Sequence, residues 1–384
     1  MQGIFSNWPQ YSVAEINAAK NVLESGKVNY WTGSEGRNFE TEFANFHQRN
    51  YSIALANGTV ALQLAMHALD IGPGDEVIVT SRTFIASVSA IVLAGAIPIF
   101  ADVDLESQNI NVETITPKIT NKTKAILCVH LAGWPCEMDE IIALAKANNL
   151  AVIEDCAQAH GAAYNGKLVG TFGDVSCWSF CQDKIMSTGG EGGMITTNSE
   201  ELWQKMWSFK DHGKNWNKVQ KKHNKLGFRW LHESFGSNYR MTEMQAAIGR
   251  LQLQSLPSFS ETRRLNLNKI WAACGSHEIF RVATPSLNVK HAAYKCYVFV
   301  NGDQPIRDNI MAKFLSFGVP CFTGSCSEVY LEKAFIKKEF MPKQRLQNAK
   351  FLGETSLMFL CDQTITKENM DLTCDVIDHI GSMY

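Results

Sequence analysis

The first two-thirds of this chain alternates short apolar runs with stretches of helical spacing, and that alternation restricts its fold more than any other feature. Strand-like runs occur at Ile53-Ala-Leu-Ala, Glu76–Thr80, Ala125–His130, Ala151–Asp155, Val175–Phe180 and Gly193–Thr197. Helix-like runs such as Val60–Leu69 and Asp139–Asn148 lie between them, and Asn57-Gly58-Thr59 and Gly72-Pro-Gly-Asp read as turns. Short apolar strands separated by helices predict an α/β domain with a mostly parallel sheet. Ser255-Leu-Pro-Ser-Phe predicts a break in the pattern after about residue 250. An Arg- and Asn-rich helix, a strand over Tyr294–Asn301, a helix over about Ile306–Phe317 and a terminal helix from about Lys367 follow. This divides the chain into a large domain at 1–250 and a smaller α+β domain at 251–384.

One stretch invites a different fold. Thr83–Ala101 carries no charge and is long enough for a membrane helix. It contains Ser87, Ser89, Gly95 and Pro98, and Asp102 and Asp104 follow at once. A buried helix over 84–94, a turn at Gly95 and a strand over 97–101 fit better, so no membrane insertion is expected. The near balance of 36 Lys+Arg against 38 Asp+Glu argues against a general nucleic-acid binder. None of the 11 cysteines forms a Cys-x-x-Cys pair, and no metal site is expected from them. Met1-Gln-Gly-Ile-Phe has no basic region followed by an apolar stretch. Reduced, mostly buried cysteines in a cytoplasmic protein are the expectation.

Four features could carry chemistry. Asp155 ends an apolar strand, where open α/β sheets bind ligands, although alone it also reads as a helix N-cap. Lys184 lies just past the strand ending in Ser179-Phe180, and the Gly-rich Ser187-Thr-Gly-Gly-Glu-Gly-Gly193 follows it. That stretch is neither a P-loop nor a dinucleotide fingerprint. Asn57-Gly58-Thr59 precedes a helix, where backbone N–H groups and a small hydroxyl suit a phosphate, or an ordinary cap. Phe84, at the end of another strand, could stack on a planar ring or belong to the core. A lysine able to condense with an aldehyde, an acid for a pyridinium nitrogen, an aromatic face and a phosphate cradle are together the needs of pyridoxal 5′-phosphate.

Ordered motifs extend this. Tyr30-Trp-Thr-Gly33, Asn57-Gly-Thr-Val-Ala-Leu62, Glu154-Asp-Cys-Ala-Gln-Ala-His-Gly161, Ser179-Phe-Cys-Gln-Asp-Lys184 and Gly236-Ser-Asn-Tyr-Arg-Met241 span nearly the whole chain. In these motifs it resembles the sugar aminotransferase family named after DegT, DnrJ, EryC1 and StrS. The resemblance implies the aspartate-aminotransferase (fold-type I) fold with a seven-stranded sheet. It implies that Lys184 bonds the cofactor and moves protons, and that Asp155 pairs with the ring nitrogen. It places Gln158 at the ring hydroxyl, Gly58, Thr59, Val60 and Ser179 at the phosphate, and Phe84 over the ring. Asn238 is implied to reach the cofactor of a second subunit, so the active unit would be a homodimer with shared sites. Arg229, Tyr239, Arg240, Glu191 and Trp31 are the implied substrate contacts.

The sequence departs from the family pattern in places. Cys181-Gln182 stands where a His-Pro or similar pair is usual, and the Lys184–Glu191 loop is one residue longer than in many 4-amino-sugar members. Members that act as dehydratases carry His in place of the lysine, so Lys184 favours transamination. The implied reaction moves an amino group from L-glutamate to a nucleotide-linked keto-deoxy sugar, foremost a 4-keto-6-deoxyhexose, for surface polysaccharide. A 3-keto acceptor, a dehydratase and a non-catalytic regulator are the alternatives. Lys210, Lys214, Lys218, Lys221, Lys222, Lys225 and Arg229 crowd one stretch and read either as a solvated face or as diphosphate ligands, with Arg229 preferred. His130, His160 and His212 are weaker candidates.

Overall fold

The structure is a computed structural model that describes residues 5–221, 227–338 and 340–384. Most of the Met1–Phe5 segment, together with Lys222 and Lys225 of the basic run, lies outside the described residues. Seven strands form the main sheet: β1 (Tyr51–Leu55), β2 (Glu76–Thr80), β3 (Ile97–Ala101), β4 (Thr123–Val129), β5 (Ala151–Asp155), β6 (Val175–Ser179) and β7 (Gly193–Thr197). Their order is β1-β7-β6-β5-β4-β2-β3, and β7 alone runs against its neighbours. Val77, Ile78, Ile126, Leu127, Val152 and Ile153 are fully buried, because helices cover both faces of the sheet.

The helices that bear on the site are α1 (Val13–Ser25), α2 (Glu35–Phe46), α3 (Gly58–Ala68), α4 (Ile85–Leu93), α5 (Met138–Ala147), α6 (Glu200–Lys210), α7 (Glu243–Gly275), α8 (Gln304–Ser316) and α9 (Lys367–Gly381). The uncharged Thr83–Ala101 stretch resolves into α4, a turn at Gly95 and β3. Among the described residues no helix is long and apolar enough to cross a membrane. α3 starts two residues earlier than the apolar spacing suggested, because the Asn57 side chain caps it by accepting from the Val60 N–H at 3.0 Å.

A second sheet of β8 (Phe280–Arg281), β9 (Cys296–Val300), β10 (Cys321–Phe322) and β11 (Ser356–Phe359) is antiparallel in the order β8-β9-β11-β10. Its core includes Leu267, Ile270, Ile310, Phe314, Val376 and Ile377 from α7, α8 and α9.

The break expected at Ser255–Phe259 does not occur. α7 runs through Pro257 as one helix of 33 residues. Proline removes the N–H that would reach the Leu253 carbonyl, and packing of the helix on either side of Pro257 holds it continuous; nearby serines bond other carbonyls of the same turns. Ser255 Oγ donates to the Leu251 carbonyl at 3.2 Å, and Ser258 Oγ to the Ser255 carbonyl at 2.9 Å. Leu253 and Leu256 pack in the core beside the main sheet, and Leu267 and Ile270 in that of the second. A division at 250/251 therefore cuts a continuous helix. Residues 5 and 6 also sit with the second sheet: Phe5 packs on its core, and Ser6 Oγ donates to Asp362 at 2.7 Å.

Candidate active site

The carboxyl ends of β5 and β6 and the start of α3 open into a cavity of about 890 Å³. Asp155 closes β5, and its carboxylate is buried. One oxygen accepts from Ser87 Oγ on α4 at 2.8 Å and the other from the Ala157 N–H at 3.1 Å. Burial pushes its pKa above the ordinary carboxylate value, and the Ser87 and Ala157 bonds and the charge of Lys184 offset only part of that. No cation among the described residues forms an ion pair with it, so it can take a positively charged N–H from a ligand.

The start of α3 packs against β6 and β7 at backbone distance. A Cβ at Gly58 would lie 2.7 Å from the Ser179 Cβ, and one at Gly193 would lie 2.4 Å from the Asn57 carbonyl carbon. Only glycine fits at either position. The close approach puts the first residues of α3 (Gly58, Thr59 and Val60) and Ser179 on one wall of the cavity. A helix N-terminus with free N–H groups beside a hydroxyl suits an anion.

Lys184 sits on the facing wall with its side chain 15% exposed. Its Nζ donates to the Tyr294 hydroxyl at 3.2 Å and lies 3.6 Å from an Asp183 oxygen. The Tyr294 hydroxyl in turn donates to the other Asp183 oxygen. The Lys184 carbonyl accepts from the Trp8 indole at 2.7 Å, which ties the turn to the N-terminal segment. Burial first, then Asp183, pushes the Tyr294 hydroxyl well above its ordinary pKa, so it stays a donor.

Gln158 and Phe84 also line the cavity. The Gln158 side-chain oxygen accepts from the Ala132 N–H at 2.7 Å, which fixes its amide. Phe84 is the N-cap of α4 and remains 65% exposed, a large ring held at the mouth with no role in the core. Glu191 lines the cavity while its carbonyl is held by Thr188 and Gln245.

The structure does not bring the remaining candidates to this cavity. Trp31 packs edge-on against Trp207, with the Lys214 ammonium 4.2 Å from its ring. Arg229 donates to the carbonyls of Lys218 and Lys221. Asn238 pairs with the Asp211 backbone, Tyr239 donates to Gln63 at 3.1 Å, and Arg240 bonds Asp211 at 2.9 Å. The Tyr239 carbonyl also accepts from the Ala56 N–H at 2.9 Å, so this segment braces the turn that leads into α3.

Lys210 is no surface cation. It is fully buried, 3.9 Å from Glu40 and 3.8 Å from the Tyr30 ring centre. His160 is also no anion ligand. Burial holds it well below its ordinary pKa, wedged between Trp178 and Phe180. His130 is occupied by Glu154 at 3.1 Å.

Sequence reasoning missed Ser87, Tyr294 and Lys295. Ser87 lies one turn into the helix that Phe84 caps, a spacing that could have flagged it. Tyr294 and Lys295 carry no such signal, because a segment 110 residues from Lys184 delivers them.

Pyridoxal phosphate fits this arrangement: the cradle at α3 admits no side chain at position 58, and the buried Asp155 lacks a cation. Fold and site together define a fold-type I, pyridoxal-phosphate-dependent aminotransferase. Comparison with known proteins narrows the class. The model of the DegT/DnrJ/EryC1/StrS aminotransferase family matches residues 9–378, and the chain belongs to that family. It is 45% identical to GDP-perosamine synthase of Escherichia coli O157:H7 over 67% of this chain and 68% of that protein. It is also 45% identical to dTDP-3-amino-3,6-dideoxy-alpha-D-galactopyranose transaminase of Aneurinibacillus thermoaerophilus, over 65% of each. A solved aminotransferase from Psychrobacter cryohalolentis superimposes with a TM-score of 0.96 at 52% identity, covering 99% of both chains.

Proposed function

We propose that this enzyme transfers an amino group from L-glutamate to the keto carbon of a nucleotide-linked deoxy sugar, foremost a 4-keto-6-deoxyhexose, on a route to surface polysaccharide. The observation that carries the reading is the convergence of Asp155, Lys184 and the start of α3 on one cavity. Its volume of about 890 Å³ leaves room for a sugar beside a cofactor. The names of both relatives given above support a nucleotide sugar. Bound pyridoxal phosphate supplies an electrophilic carbon and a ring that stores an electron pair while its nitrogen is protonated.

The protein's own groups do the rest. The Gly58 and Thr59 N–H groups and the Ser179 hydroxyl hold the phosphate, with Val60, whose own N–H is taken by the Asn57 cap, beside them. Asp155 keeps the ring nitrogen protonated by opposite charge. Gln158 orients the ring hydroxyl, and Phe84 covers one face. The Lys184 amine anchors the cofactor and then carries a proton from the donor's Cα. Positioned proton transfer of this kind contributes about 10²–10⁴-fold. Trp31, Arg229, Asn238, Tyr239 and Arg240 serve the site of a second subunit in a homodimer, and Glu191 contacts the sugar within its own chain. The enzyme acts in the cytoplasm, where nucleotide sugars are made.

Two measurements test this. L-glutamate added alone should change the cofactor's absorbance and release 2-oxoglutarate, and an unchanged spectrum would reject the donor. Product from a 4-keto nucleotide sugar should carry nitrogen at C4. The second relative's name, a 3-amino sugar transaminase at the same 45% identity, favours a 3-keto acceptor as the second reading. Turnover of the 3-keto substrate alone would establish it instead.

A further inference from the structure

A second cavity of about 330 Å³ adjoins the first, and Asp183, Lys295, Phe322 and Leu360 line both. Arg263, on α7, reaches into it and is only 1% exposed. Its Nη1 makes two long contacts, 3.4 and 3.5 Å, to the carbonyls of Tyr294 and Ala293. Its Nε and Nη2 have no partner among the described residues. Lys295 adds a second cation. Its Nζ lies 5.1 Å from the Tyr294 ring centre, and among the described residues it has neither a hydrogen bond nor an ion pair.

The acids of this cavity are already engaged. One Asp362 oxygen accepts from Ser6 at 2.7 Å, and the other from the Thr364 N–H at 3.0 Å and its hydroxyl at 2.6 Å. Asp183 is occupied by the Tyr294 hydroxyl and lies 3.6 Å from Lys184. The open hydrogen-bonding capacity is therefore cationic. A buried guanidinium with unused donors is costly unless an anion completes it, and its fork matches a carboxylate.

None of the cradle residues Gly58, Thr59, Val60 and Ser179 borders this cavity, so it is separate from the phosphate site. It opens instead on the wall that holds Lys184. Trp8, Phe322 and Leu360 give it apolar sides suited to a short methylene chain.

We propose that Arg263 and Lys295 form the carboxylate-binding site for the amino donor, holding one end of an α-amino dicarboxylate while its amino group faces Lys184. The assignment rests on the reading of Lys184 and of the donor given above.

Glutarate tests it, because it has both carboxylates but no amine or carbonyl to react. Calorimetry on the holoenzyme should show glutarate binding to the wild type. Lys295→Met and Arg263→Gln should each weaken that binding by about 10-fold or more, the size of a charge-assisted hydrogen bond. Lys295→Arg should restore most of it, and binding of GDP, UDP or dTDP should not change. Arg263 is buried and its replacement can cost folding, so the partly buried wall residue Lys295 keeps the test decisive. Unchanged glutarate affinity in Lys295→Met overturns the proposal, as does a loss of nucleotide affinity in its place. Should the wild type release 2-oxoglutarate from glutamate while Lys295→Met keeps the same KM for glutamate, the pocket assignment fails and the proposed function stands. A wild type that releases none overturns the donor, and this site with it.

Discussion

Glu154 and Asp155 are consecutive acids on β5, both buried, and their surroundings differ in kind. Strand alternation sends them to opposite faces of the sheet. On one face Glu154 accepts from the His130 imidazole at 3.1 Å, from the N–H groups of Gly170, Phe172 and Gly173 at 2.7, 2.9 and 2.7 Å, and from Ser176 at 3.2 Å. Burial pushes its pKa up, but His130, Arg49 and the Gly173 N–H together outweigh that and hold it at about 2. On the other face Asp155 has two donors and a raised pKa. His130, Glu154 and Cys156 place potential metal-ligand atoms within 4.8 Å of one another, yet the Glu154 oxygens are already filled by protein donors. A buried carboxylate whose lone pairs are saturated is part of the frame. One left short of a cation is waiting for a ligand.

The largest expected effect lies on the ligand face. Lys184→Ala should abolish turnover and the borohydride-stabilised bond between cofactor and protein, read by peptide mass. Wild-type turnover in this variant would remove Lys184 from the mechanism. Asp155→Asn should slow the glutamate half-reaction by about 10²–10³-fold, the usual cost of losing one preorganised electrostatic partner, while thermal unfolding stays near wild type. Glu154→Gln should do the reverse. It leaves Arg49 buried beside a neutral amide and should cost about 3 kcal/mol or more of stability in a denaturant titration. If Asp155→Asn unfolds the protein and Glu154→Gln only slows it, the contrast between the two faces is wrong.

Acid should sharpen the contrast. Burial holds His47 down to about 4 and His291 to about 3, and both stay neutral in the fold. The unfolded chain takes up those protons first, so this stability is complete above pH 6.5 and declines as pH falls towards 4 and then 3. Glu154 works over a lower window: its stabilisation is full above pH 4.5 and is lost towards 2. Unfolding temperature against pH should fall in two stages, and Glu154→Gln should flatten only the lower one. The smallest effect is expected from subunit exchange. Mixing Lys184→Ala chains with chains altered at both Asn238 and Arg240 should restore activity, up to about half of the sites of each hybrid dimer. Hybrids that form and remain inactive would confine each site to its own chain.

Much of this was legible in the residues themselves. Asp155, Ser179 and Lys184 lie at strand ends or just past them, and strand ends line the sites of α/β sheets. Asn57-Gly58-Thr59 was legible because a cap and an anion cradle use the same backbone donors. Pro257 misled because the packing of Leu253 and Leu256 in one core and of Leu267 and Ile270 in another, which carries the helix through it, is not a local signal. Lys210 misled because nothing local signals Glu40 and Tyr30, which enclose it from far along the chain.

Residue order alone thus determined the α/β alternation, the lysine, the acid and the cradle, since each depends on local backbone geometry and on neighbours a few positions away. The tertiary structure alone decided which side chains meet those groups. Ser87 on Asp155, Tyr294 on Lys184, and Arg263 and Lys295 at the adjoining cavity come from separate elements. Packing sets such encounters: burying each apolar face fixes how the helices and the second sheet lie against the first, and sequence spacing carries no trace of that distance.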